Sequence, residues 1–260
     1  MTTIIARSSE TTHWYRQDGS PQYTVKAKDG SDRNTTLRDA RVMNLVPSVT
    51  TIIKTAASPG LEAWKSEQML LAALTLPRVE GESEKELLKR IVQDSKETAR
   101  QAAERGTRVH EDVEKHFAGE MNDRPELGVA VERSLASFFG LPDKTPWKVE
   151  HAFAWGGFGG KVDLHHPITK CAPHGLVVDI KSKEFGPDDE IKAYDEHLMQ
   201  LAAYRNGLEI PNARCANIFV SVSHPGLVSI IECNAEDLTR GWDMFSCLLK
   251  YWSIKNKFGI

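Results

Sequence analysis

The chain has 260 residues, 40% of them hydrophobic and 27% charged, with a formal net charge of −3. Those proportions exclude a fibrous or disordered polypeptide, and the length suits one sizeable core near the upper end for a single domain. Apolar runs such as Leu70–Leu76 fall far short of a membrane span, and the first residues lack the basic-then-apolar pattern of a secretory signal; a cytoplasmic protein with no membrane partner is expected.

Residues 1–46 read as an N-terminal arm with short strands: Tyr23–Ala27 alternates, and Asp18-Gly19 and Asp29-Gly30 mark turns. The first 54 residues carry eight Lys/Arg and five acids, a local excess of 8 − 5 = +3. An ordinary solvated surface accounts for that excess, and a backbone-contacting arm is the alternative. The overall −3 does not exclude nucleic acid, because a basic groove and an acidic metal site cancel in the sum.

Residues 47–140 read as helical. Ser48 is placed to cap a short helix, and Ser58-Pro59 to start one reaching about Leu76. Glu82 to about Gly119 is the longest helical stretch, with Gly106 marking either a break or a close packing contact. Another helix covers Leu127–Phe139. The period then changes: Lys148–Trp155, Gly160–His166 and Gly175–Lys183 read as successive strands, with GGFGG as a flexible turn between the first two. Asp189–Leu208 has helical spacing, Cys215–Ser223 and Leu227–Cys233 form a hairpin, and residues 235–258 close the chain as a helix. The order implies one mixed sheet with helices on its faces. The cysteines, Cys171, Cys215, Cys233 and Cys247, form no CxxC pair and read as reduced, mostly buried thiols.

Chemistry concentrates in Asp163 and Asp179-Ile180-Lys181. The two aspartates fall near the middles of neighbouring strands, and Asp179 and Lys181, two apart, share a face. Two carboxylates buried together call for a compensating cation, and oxygen ligands select Mg²⁺ or Mn²⁺. A solvent-facing Asp-x-Lys pair is the plain alternative, but Val177, Val178 and Ile180 surround this one.

These residues resemble the core of the PD-(D/E)XK nucleases, and more narrowly their RecB-like, phage-type exonuclease branch. That branch reads as a helix with G-x-x-x-H, a strand with G-x-x-D, a strand with D-x-K and a helix with Q-x-x-x-Y. Here these run from Gly106 to His110, Gly160 to Asp163, Asp179 to Lys181 and Gln200 to Tyr204, in family order. Val46–Lys54 also resembles the PSVT element upstream of the core in phage exonucleases and the mitochondrial genome-maintenance exonuclease. The resemblance covers roughly residues 46–233.

It implies a single α/β nuclease domain over residues 1–260. The fold would be restriction-endonuclease-like: a mixed central sheet over 147–233, flanked by helices, behind a largely helical N-terminal half. The implied activity is a Mg²⁺- or Mn²⁺-dependent deoxyribonuclease, an exonuclease acting on single-stranded DNA or DNA ends. The implied setting is phage or prophage recombination or replication, with a recombination or single-strand-binding partner. Asp163, Asp179, His110 and the Ile180 carbonyl would hold metal, with Lys181 the catalytic lysine. By position, Glu150 is placed to complete the acidic cluster, and Glu114, one turn from His110, to orient it or bind a second ion; a plain surface role is the alternative for both. Gln200 and Tyr204 would steady the lysine and the DNA, with Arg108 supporting. The helical half would arch over the site, and Trp14, Tyr15, Trp64 and Trp155 are candidates for stacking on bases, with core packing the commoner role of tryptophan.

The first acid of the motif lacks its usual preceding proline, and Glu184 falls in the opposite register from Lys181. No iron–sulfur cysteines flank the core and no Walker A sequence is present. The rival is a catalytically inactive DNA-binding or assembly protein of the same fold, against which the intact Asp163, Asp179 and Lys181 speak.

Overall fold

The computed structural model describes residues 12–142 and 145–259. Arg7 and Glu10, counted in the basic excess, lie outside them, as do residues 1–11 of the stretch searched for a secretory signal. Among the described residues no helix is long and apolar enough to cross a membrane.

The N-terminal residues form two small ribbons. β1 (Trp14–Tyr15) pairs with β4 (Val46–Pro47), and β2 (Thr24–Lys26) with β3 (Asp32–Asn34) around the Asp29-Gly30 turn. Between them α1 (Leu37–Val42) starts at a Thr36/Asp39 capping box. Trp14 and Tyr15 are buried, Trp14 packing edge-on against Trp252, so neither offers a stacking surface for bases. Trp64 is half-buried, and the partly exposed Trp155 packs against Phe158 and Trp242.

α2 (Val49–Ile53) begins where the Ser48 hydroxyl accepts the Thr51 N–H, as its sequence predicts. α3 (Pro59–Thr75) has proline in its first turn, but Ser58 makes no side-chain cap. α4 (Glu84–Ala118) is one unbroken helix of 35 residues, opened by a Ser83/Glu86 capping box and closed by Gly119 in the left-handed region. Gly106 does not break it. A side chain there would meet Ser182 Oγ at 2.8 Å, so this glycine is a contact point. α5 (Pro125–Phe139) follows.

The main sheet has five strands in sequence order: β5 (Lys148–Trp155), β6 (Phe158–His166), β7 (Leu176–Lys183), β8 (Arg214–Ser221) and β9 (Val228–Cys233). All neighbours are antiparallel except β7 and β8. That one parallel pair needs a crossover, which α6 (Asp195–Gly207) supplies, and α7 (Ala235–Asn256) ends the chain. α6 is shorter than the periodic stretch from Asp189 suggests. The glycine-rich turn is also tighter than expected: only Gly156 and Gly157, both at positive φ, make it, and Trp155 pairs with Phe158. Gly159 is instead a docking point, bridged to Ser48 and lying under Tyr15.

Both sheet faces are covered. Val177 and Cys215 join one core with α2, α6 and α7, whereas Val178, Ile180, Ala216 and Ile218 join another with α4 and α5. This is a mixed α/β architecture.

Candidate metal centre

The site forms where β6 and β7 part. Their ladder ends at Leu164 opposite Val178. Continuing that register, Ile180 would face Val162, but its N–H is donated to Asp163 Oδ2 at 2.7 Å. The pleat of β6 breaks at the same point. Val162 and Leu164, two apart, ordinarily share a face, yet Val162 lies in the α6 core and Leu164 in the α4 core. Opposite, Glu150 sits at φ +51° between the pairs Val149–Leu164 and His151–Val162, so β5 is distorted at the same level. The Asp163 carboxylate thereby lies in the gap between strands. Within a strand the N–H and C=O of one residue face the same neighbour, so the Ile180 carbonyl is aimed at this gap too.

From the α4 side come His110 and Glu114, four residues apart on one helical face, held close to β7 by the Gly106–Ser182 contact. One nitrogen of His110 and one carboxylate oxygen each from Glu114 and Asp163 lie within 4.8 Å of one another, and all three residues are half-buried. His110 Nδ1 is 3.8 Å from Asp163 Oδ2. Burial, and then the nearby Lys181, hold the His110 pKa below its ordinary value, which leaves a neutral imidazole with a lone pair to offer.

From the α6 side comes a hydrogen-bonded network around Asp179. Its Oδ2 lies 2.6 Å from Lys181 Nζ and accepts the Asn217 amide at 2.9 Å. Its Oδ1 accepts from Gln200 Nε2 at 2.7 Å. Gln200 also accepts from Lys181 Nζ at 3.0 Å and donates to the Tyr204 hydroxyl at 2.9 Å. Gln200 thus reads the lysine with its carbonyl and the aspartate with its amide, which fixes the relative placement of both.

Burial, reinforced by the Asp179 carboxylate, pushes the Asp163 pKa up to about 8. The same causes raise the Tyr204 phenol well above its ordinary value. A half-buried carboxyl that resists ionisation beside a second carboxylate, an imidazole lone pair and a backbone carbonyl makes a donor set suited to a divalent cation. One nitrogen among oxygens fits Mn²⁺ at least as well as Mg²⁺.

His110, Glu114 and Asp163 therefore converge, with Asp179, Lys181, Gln200 and Tyr204 as the adjoining network. Two expected members do not join. Glu150 is ion-paired with Lys161, and its carboxylate is not among those that gather. The carboxylate oxygens of Asp179 are engaged by Lys181, Asn217 and Gln200, whereas Glu114, expected in a supporting role, lies in the ligand group. Arg108 is exposed on α4. Sequence reasoning missed Asn217, which is wholly buried and paired in register with Asp179. Its signal was an amide inside the apolar run of β8, where a polar residue needs a partner.

No family model matches the chain, and no curated protein matches it. Among solved structures the chain is similar to one described as the crystal structure of SSO0001. The two are 13% identical with a TM-score of 0.27, over 72% of this chain and 86% of that one, a likeness too loose to carry fold or function.

Proposed function

We propose that this chain is a divalent-metal-dependent DNA nuclease on a restriction-endonuclease-like core, acting on single strands or free ends. One observation carries the reading: His110, Glu114 and Asp163 offer ligand atoms within 4.8 Å of one another, directly beside the Asp179–Lys181 pair. A hydrolase for phosphodiesters needs a cation to gather anionic oxygens and a positioned ammonium beside it; residues of α4 and β6 would hold the first, and Lys181 on β7 would supply the second.

A divalent ion, Mg²⁺ or Mn²⁺, would be held by His110, Glu114, Asp163 and the Ile180 carbonyl, and would supply Lewis acidity and a lowered pKa for water. The protein's own contributions are positional. Gln200 holds the Lys181 ammonium against Asp179, so the lysine donates from a fixed point toward a phosphate oxygen. Asn217 and Gln200 hold the Asp179 carboxylate from two sides. Tyr204, kept protonated, steadies Gln200. The intact acid–lysine pair favours an active enzyme over a binding-only relative of the same fold.

Incubation with end-labelled single- and double-stranded DNA, with Mn²⁺, Mg²⁺ or EDTA, tests the reading. Products should appear with either ion and vanish with EDTA and in Lys181→Ala. Equal products in EDTA would refute it.

A further inference from the structure

The N-terminal half of α4 carries a surface that the metal centre does not use. Lys85, Lys89, Lys96 and Arg100, with Leu88, Val92 and Gln93 and one acid, Glu97, line one open groove along this helix. Lys85, Lys89 and Lys96 are exposed and form no ion pair among the described residues. Other cations of the same helical pair are neutralised locally: Arg90 by Glu82 at 2.8 Å, Lys65 by Glu62 at 2.9 Å, and Arg100 by Glu97 and Glu104. Positive charge left without carboxylate partners on one stripe is complementary to a polyanion.

The stripe has a direction. At about 100° per residue, Lys89, Val92, Lys96, His110 and Glu114 all fall within about 40° of the azimuth of Lys85. The buried residues Ile91, Ser95, Val109 and Val113 keep a second constant azimuth, roughly 100° away, so the two halves of this unbroken helix present the same faces. The lysine stripe is therefore the outward continuation of the face that brings His110 and Glu114 to the metal centre. At about 1.5 Å per residue it extends from about 21 Å (Lys96) to about 38 Å (Lys85) from His110.

We propose that this stripe is a track for the sugar–phosphate backbone of a single-stranded nucleic acid, leading it to His110 and Glu114. The three lysines contact successive phosphates, and the exposed Leu88 and Val92 give sugars and base edges an apolar margin. The inference rests on the proposed nuclease reading for where the track leads, but its test reads binding and not cleavage.

The experiment is fluorescence anisotropy of labelled oligothymidylate in EDTA, across a salt series. It compares the wild type, a Lys85→Ala/Lys89→Ala/Lys96→Ala triple and the corresponding charge-reversed triple, with helicity checked by circular dichroism. Each lost single-strand phosphate contact lowers the slope of log K against log salt by about 0.7, so the alanine triple should lose about 2 in slope and at least about tenfold in affinity at low salt. The reversed triple should bind more weakly still. Unchanged slope and affinity in a folded alanine triple would overturn the track, as would wild-type binding of polyglutamate in preference to the oligonucleotide. A wild type that binds but does not cleave in Mn²⁺ would sink the nuclease reading and leave the track standing.

Discussion

Asp163 accepts the Ile180 N–H through its side chain, so one carboxylate both closes the torn end of the β6–β7 ladder and stands among the candidate metal ligands. Charge and hydrogen bond separate by substitution. Asp163→Asn keeps an acceptor for Ile180 and loses the charge, whereas Asp163→Ala leaves a buried donor unpaired at a cost of about 1–3 kcal/mol. Both variants should lose metal affinity, but only the alanine should lose thermal stability relative to the asparagine. Calorimetric melting in EDTA checks this.

The raised Asp163 pKa sets a pH dependence. Without a cation, the folded chain binds a proton here up to about pH 8, while the unfolded chain releases it near the ordinary carboxylate value of 3.8. Between those limits the folded state holds more protons, so this group's contribution to stability falls as pH rises. Melting in EDTA should therefore show a decline from pH 4 to 8 that is reduced in Asp163→Asn. Mn²⁺ affinity should rise over the same window, because the ion must displace that proton.

The sequence made much of this legible, and the limits have physical causes. Periodicity located the strands and α4 because their buried faces are long and regular. The convergence of His110 with Asp163 is legible only through the resemblance, whereas spacing alone places Glu114 on the helical face of His110. Trp14 and Tyr15 stay open between stacking and core in the sequence because a two-residue strand has no period to reveal that it is buried. The tie between Glu150 and Lys161, and the positive φ of Glu150, lie at the level where β6 and β7 part, a relation that no local pattern encodes. The amide of Asn217 stands out in its apolar run, but its partner depends on a parallel register set by the α6 crossover, which no local pattern gives.

Gly106 couples helix packing to the site. Alanine in a helix interior is ordinarily favoured over glycine by about 1 kcal/mol, but here its Cβ would sit 2.8 Å from Ser182 Oγ. Gly106→Ala should give no such gain in the wild type and should recover it in a Ser182→Ala background. Gly106→Leu should displace α4 and weaken metal binding through His110 and Glu114. A double-mutant cycle followed by urea denaturation measures the coupling.

Gln200 joins Lys181 to Asp179, and a leucine cannot do so. Gln200→Leu should lower metal affinity or cleavage on the order of 10- to 100-fold while the fold persists. Gln200→Glu should fail differently: it still accepts from Lys181 but repels Asp179. Cleavage rates with matched circular dichroism spectra separate the two.

Anomalous diffraction from crystals soaked in Mn²⁺ addresses the metal centre itself. The arrangement predicts a peak between β6 and β7, about 2.1 Å from carboxylate oxygens of Asp163 and Glu114 and in contact with His110. A peak elsewhere, with these three side chains left unligated, would contradict it.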